Sequence, residues 1–252
     1  MKAIILAAGY ATRLYPLTIN RPKALLPINN IPIASYIVKQ INNLPDIDNI
    51  YVVSNNKFAK HFFDWYEKIK YESKIPIKII NDGSEENQNK KGAIGDINFV
   101  IEEENIYDDI IVIAGDNFFT FDLKEFYNFA REIKKDCACA KEFESQPKEF
   151  LKRFAIALTD KNNKLIDLCE KPEEPKSNLV VYANYIYKKQ TLKLIKKYLD
   201  DGNIPDAPGF FLQWLYKKQD VYIYKMNGEC YDIGTPEAYI EVQKKFATNV
   251  LS

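Results

Sequence analysis

The sequence predicts an α/β chain built on a doubly wound, mostly parallel sheet with an inserted antiparallel β patch. Three observations carry this. Through the first half, short apolar runs of strand length alternate with longer stretches of helical character. Those short runs are apolar at consecutive positions, as strands covered on both faces must be. From about residue 136 the pattern changes, and several strand-like runs follow one another across turn-like segments.

In chain order, Ala3–Leu6 is a buried strand that runs into a loop-like segment over residues 7–31, which holds Pro16, Pro22 and Pro27. A helix is expected from about Pro32 to Asn43, with Pro32 suited to a first turn. Strands follow at Ile50–Val53 and Ile77–Ile80, separated by an aromatic-rich helix over Lys57–Lys70. Residues 81–91 are polar and loop-like. A helix over Ala93–Glu104, a strand at Ile110–Ile113 and a helix over Phe121–Lys134 complete the alternating half. The runs Cys137–Lys141, Phe154–Leu158, Leu165–Cys169 and Leu179–Tyr187 make the antiparallel patch. Helices near 190–199 and 209–217, a strand at Val221–Lys225 and a helix from about Thr235 to Phe246 follow. No fixed-period repeat and no long linker is visible, so residues 1–252 read as a single domain with two halves, about 1–135 and 136–252.

Composition narrows the function classes. Hydrophobic residues make up 46 % and charged residues 28 %, ordinary globular usage. Thirty-five basic residues balance 35 acidic ones, which argues against a nucleic-acid partner. Cys137, Cys139, Cys169 and Cys230 show no C-x-x-C spacing, so reduced thiols are expected. No stretch approaches the ~20 apolar residues of a membrane span, and the N-terminal apolar run is broken by Gly9 and Arg13. A soluble, cytoplasmic protein without a membrane partner is expected.

The segment after the first strand reads LAAGYATRLYPLTINRPKALLP. Ala7, Ala8 and Gly9 are small enough for a ligand to approach the backbone, whose N–H groups can cradle phosphate. Arg13, one of only four arginines, and Lys23 share the loop and can converge on one anion. The spacing is neither that of a Walker A loop nor the G-x-G-x-x-G of a dinucleotide fold. From these residues alone, a tight turn with solvent-facing charges is the alternative.

The segment closely resembles the signature of the sugar-1-phosphate nucleotidyltransferases, the family of glucose-1-phosphate thymidylyltransferase. The match covers Leu6, Gly9, Thr12, Arg13, Leu14, Pro16, Thr18, Pro22 and Lys23. Ala11 stands where the family has a second glycine, a modest change unless the residue takes a positive φ. Four further segments agree in order: Asn81–Asp82–Gly83 with Gly92–Ala93, Gly115–Asp116–Asn117, Glu170–Lys171–Pro172 and Asp232–Ile233–Gly234–Thr235. The resemblance implies a nucleotidyltransferase-type fold, with the nucleotide in the first half and the sugar phosphate in the second. It implies catalytic roles for Arg13, Lys23 and Lys171, and Mg2+ held by Asp116 and Asp232. It further implies substrate contacts from Leu6, Ala8, Gly9, Asn81, Gly92, Asn117, Glu170 and Asn184, the last from the run VVYANYIY.

The implied reaction joins an NTP and a sugar 1-phosphate, giving an NDP-sugar and pyrophosphate. The length and spacing of residues 81–93 favour dTTP or UTP. A phosphate monoester has its second pKa near ~6 and is already ionised near neutrality, so no protein base is required. This suits a chain with one histidine, His61, read as a packing or surface residue. A CTP-dependent cytidylyltransferase for phosphocholine or a similar small phosphate is the enzymatic alternative. A catalytically silent subunit of the same fold is less favoured, because Arg13, Lys23, Asp116 and Asp232 are all retained. A homo-oligomer is compatible with the sequence.

Overall fold

A computed structural model of the chain describes residues 1–247. The first half supplies β1 (Lys2–Leu6), a short hairpin of β2 (Pro27–Ile28) and β3 (Ile31–Pro32), α1 (Ile33–Ile41), β4 (Asn49–Ser54), α2 (Ala59–Ile69), β5 (Ile77–Asn81), α3 (Ala93–Glu103), β6 (Ile110–Ala114), β7 (Asn117–Phe119) and α4 (Leu123–Ile133). The second half adds β8 (Asp136–Glu142), α5 (Lys148–Leu151), β9 (Ala155–Thr159), β10 (Leu165–Glu170) and β11 (Leu179–Tyr187). It ends with α6 (Leu192–Asp200), α7 (Pro208–Leu215), β12 (Val221–Lys225), β13 (Cys230–Asp232) and α8 (Pro236–Ala247).

Local chemistry accounts for the helix limits. In α1, Ile33, Ala34, Ile37, Val38 and Ile41 are buried, one stripe at helical spacing. Asp122 caps α4 by accepting from the Lys124 N–H, and Lys134 closes that helix in the left-handed conformation. Pro208 opens α7, where a missing N–H costs nothing.

The nine-stranded sheet has a parallel centre, β6-β1-β4-β5. It continues through β11, which runs antiparallel to β6. Beyond the bonded β6–β11 edge, β11 pairs with β8 along one side and with β9 on the other, and β10 and β12 complete the branches. The expected antiparallel patch is therefore an extension of the central sheet. One strand in it departs from the antiparallel run, because β12 lies parallel to β8. Side chains alternate across the pleat, so Ala3 and Ile5 pack into one core layer while Ile4 enters the other.

Residues 7–31, expected to be loop, contain 3-10 turns at Thr12–Leu14 and Lys23–Leu25 as well as the small hairpin. Three elements had no periodic signal to announce them: α5, of four residues, and the three-residue strands β7 and β13. β7 pairs antiparallel with β13, setting Asn117 opposite Asp232. That ladder lies next to the parallel strand ends. Leu6 of β1 is level with Val53 of β4 and Ala114 of β6, so the loops after β1 and β6 open at one edge of the sheet. Among the described residues no helix is long and apolar enough to cross a membrane.

Candidate active site

A cleft of about 630 Å3 opens at that edge. It takes Leu6, Ala8, Gly9 and Arg13 from the loop after β1, Asp116 and Asn117 from the loop after β6, and Gly92 from the start of α3. Glu170 and Lys171 arrive from the end of β10, and Asp232 from β13. An adjoining cavity of about 340 Å3 shares Gly9, Arg13 and Asp116 and adds Lys23. Eleven of the thirteen residues implied by the resemblance therefore line one continuous region.

The loop after β1 is tied down by backbone hydrogen bonds. The Ala7 N–H donates to Val53 O at 2.9 Å, and the Gly115 N–H donates to Leu6 O at 2.8 Å. Ala11 takes a left-handed conformation, φ 48° and ψ 42°. The family glycine is thus replaced at a position where a Cβ is penalised, by roughly 1–2 kcal/mol. Thr18 holds the turn, its hydroxyl donating to Ala11 O at 2.8 Å.

Charge converges where the two halves meet. The Lys23 ammonium sits 2.7 Å from Asp116 Oδ2 and 3.4 Å from Asp232 Oδ1. The β7–β13 ladder explains why carboxylates so far apart in sequence share one cation: each belongs to, or adjoins, a paired strand. Two carboxylates within reach of a single cation also fit magnesium, which takes one or two carboxylates and completes its shell with substrate phosphates and water. Among the described residues there is no group of three or more His, Cys, Asp or Glu that would make an all-protein cage. Arg13 projects, exposed, at the rim of both cavities.

At the opposite end, burial pushes the Glu170 carboxyl above the ordinary carboxylate range, opposed by the neighbouring Lys171. Its carboxylate lies over Gly209 in the first turn of α7, where a Cβ would fall 1.7 Å from Oε2. Only glycine leaves that carboxylate its place. Lys171 stands before Pro172 with φ 51°, a strained backbone that turns the chain sharply out of β10.

Two implied contacts lie elsewhere. Asn81 is exposed at the end of β5, donating to Asn56 Oδ1 at 2.8 Å and accepting from the Gly83 N–H at 3.0 Å. The pleat sends its neighbour Asp82 inward instead, where it is 4 % exposed. Asn184 is fully buried, with both amide atoms unpartnered and the Cys230 thiol beside it. On β11, Val181, Tyr182, Ala183 and Tyr185 line the cleft, and Asn184, beside a register shift in the β8–β11 ladder, does not. His61 is exposed on α2 against the Phe58 ring and does not line the cleft.

Five charged lining residues escaped the sequence reading: Lys90, Asp96, Lys152, Arg153 and Asp206. Lys90 pairs with Asp206 at 2.8 Å across the start of α3. None belongs to a spaced pattern. Arg153 alone carried a signal, as one of four arginines in a lysine-rich chain.

Comparison with known proteins agrees with this geometry. The model of the family described as nucleotidyl transferase matches residues 2–249. A putative mannose-1-phosphate guanyltransferase of Sulfolobus acidocaldarius is 30 % identical over 248 residues, covering 98 % of this chain and 64 % of that protein. The bifunctional protein GlmU of Methanocaldococcus jannaschii is 32 % identical over 250 residues, 97 % of this chain and 54 % of its own length. The chain thus spans between half and two thirds of these relatives. Among solved structures, a UDP-glucose pyrophosphorylase complexed with UDP-glucose superposes with a TM-score of 0.81 at 19 % identity, covering 98 % of each chain. A putative glucose-1-phosphate thymidylyltransferase from Bacillus anthracis gives 0.78 at 23 % identity, over 98 % of this chain and 96 % of that one. These two likenesses show the shared fold. With a family match running nearly end to end, and with the signature loop, both strand-end aspartates and the second-half lysine in one cleft, the chain belongs to the nucleotidyl transferase family.

Proposed function

We propose that this protein transfers a nucleotidyl group from an NTP, with dTTP or UTP favoured, to a sugar 1-phosphate, releasing pyrophosphate. One observation supports the reading above the others. Arg13, Lys23, Asp116, Asp232 and Lys171, drawn from four separated motifs, surround one cleft. A monoester oxygen of the sugar phosphate forms a bond to the α-phosphorus. The α–β bridging P–O bond breaks, and its electron pair leaves with pyrophosphate. Catalysis of this kind is mostly positioning and charge neutralisation. Arg13 and Lys23 hold the phosphates at the β1 loop, and Lys171 holds the sugar phosphate from the opposite wall. Asp116 and Asp232 would hold magnesium. When bound, the metal supplies positive charge against the developing negative charge of the phosphates.

The test is a pyrophosphate-release screen of purified protein, pairing five NTPs with a panel of sugar 1-phosphates and phosphocholine. Magnesium-dependent release with a sugar 1-phosphate supports the reading; release with CTP and phosphocholine alone replaces it with the cytidylyl alternative. The division of labour carries its own expectation. Lys171→Ala should raise KM for the sugar phosphate about 10-fold or more with little change for the NTP, the loss of a charge-assisted contact. Arg13→Ala should act mainly on the NTP side. Steady-state kinetics with each substrate varied in turn checks this, and equal effects on both KM values in both variants would contradict it.

A further inference from the structure

Asp96 lines the cleft, has no part in the chemistry above, and forms no ion pair with another described residue. We propose that Asp96 determines nucleobase choice, its carboxyl oxygen accepting the ring N–H of uracil, thymine or guanine and selecting against cytosine and adenine. The proposal rests on the nucleotidyl-transfer reading and specifies the substrate of that same cleft.

The first turn of α3 is built to hold Asp96 still. Gly92 has φ 77°, and a Cβ there would meet Pro205 O at 2.7 Å. The Ile94 N–H donates to Pro205 O at 2.8 Å, and the Ala93 N–H donates to Asp206 O at 3.3 Å. These helix N-terminal donors are already satisfied, so this end of the cleft offers little to a phosphate. Lys23 lines the adjoining cavity, which Asp96 does not reach, and Arg13 lines both. The cleft that Asp96 lines also takes Leu6, Ala8, Gly92 and Ala93, small or apolar residues that leave room for a flat ring, and the charged Lys90.

Asp96 is 6 % exposed, and its Oδ1 has no hydrogen-bond donor. The group facing it is the Asp82 carboxyl. Asp82 already accepts from the Ser84 N–H at 2.7 Å and from the Ser84 hydroxyl. Near neutral pH Asp96 carries a proton. Burial and the adjacent Asp82 push the Asp96 carboxyl up to about 8, opposed by Lys91 and Lys90. With that proton directed at Asp82, Asp96 has acceptor capacity left for the cleft. Uracil and thymine present N3–H, and guanine presents N1–H, to such an acceptor. Cytosine N3 and adenine N1 present a lone pair in the same place, and two desolvated acceptors facing each other are unfavourable.

The test measures equilibrium binding of UTP, GTP, CTP, ATP and N3-methyl-UTP to the full chain by calorimetry, alongside turnover. The wild type should bind UTP about 10- to 100-fold more tightly than CTP or N3-methyl-UTP. Asp96→Ala should bring the UTP:CTP ratio to within about 2-fold, and Asp96→Asn should restore it, because the amide donates to Asp82 and keeps a carbonyl oxygen for the base. Wild-type protein that binds N3-methyl-UTP or CTP as tightly as UTP overturns the proposal, whether or not the Ala variant folds. So does an Asp96→Ala protein that keeps the wild-type ratio. Selective NTP binding without pyrophosphate release from any sugar 1-phosphate would sink the transfer reading while supporting the role of Asp96.

Discussion

Asp116→Asn and Asp232→Asn should each lower turnover by two or more orders of magnitude while leaving the fold intact. The two carboxylates converge on one cation position, now taken by the Lys23 ammonium at 2.7 and 3.4 Å. Each is partly exposed, with side-chain accessibilities of 39 % and 34 %, so neither supports the core. Asparagine keeps the shape and one oxygen but removes the charge. A metal ligand lost at a phosphoryl centre removes several kcal/mol of charge stabilisation, and every 1.4 kcal/mol is about tenfold in rate. Turnover under saturating magnesium, with circular dichroism to confirm the fold, checks this. A variant of either with near-normal magnesium-dependent turnover would take that residue out of the site.

The second large effect is on stability. Asp96→Asn should stabilise the protein, and by an amount that grows with pH. Burial raises the folded-state carboxyl from 3.8 to about 8. Between those limits the folded chain keeps a proton that the unfolded chain releases, so wild-type stability falls as pH rises through this window. Asparagine titrates nothing and makes the same hydrogen bond to Asp82. The variant should match the wild type near pH 4, pull ahead by on the order of a few kcal/mol towards pH 8, and then hold that lead. Burial raises Asp136 and Glu170 as well, but both proteins contain them, so they cancel in the difference. Urea unfolding of both proteins at several pH values tests the sign. A constant difference, or one that shrinks as pH rises, contradicts the protonated assignment.

These effects mark what could be read along the chain and what could not. The parallel strands were legible because runs such as Ile110–Ile113 are apolar at every position, and the loops at their ends carried the signature residues. The meeting of Asp116 and Asp232 was not. It depends on β7 and β13, each three residues long, whose pairing of Asn117 with Asp232 spans more than a hundred positions. Local periodicity is silent at that range. At β5 the sequence offered Asn81 and Asp82 side by side, and only the strand's register turns the acid inward. At β11 a register shift between Tyr182 and Tyr185 breaks the ladder, and Asn184 lies buried off the cleft that its neighbours line. The Asp82–Asp96 contact joins a strand end to a helix start across a polar loop, and no spacing rule announces it. Ala11 taught a different lesson: a residue without left-handed preference takes φ 48° because the surrounding turn, including the Thr18 hydroxyl, dictates it.

The central claim is that the sugar phosphate itself attacks the α-phosphorus, with the protein supplying position and charge but no nucleophile or base. Isotope exchange between labelled pyrophosphate and the NTP tests it most directly. Exchange requires the α–β bond to break and re-form, so direct attack permits it only when the sugar 1-phosphate is present. The account predicts no exchange with NTP, magnesium and protein alone, and rapid exchange once the sugar 1-phosphate is added. Exchange at full rate without it would reveal a nucleotidyl group held on the protein and contradict the account.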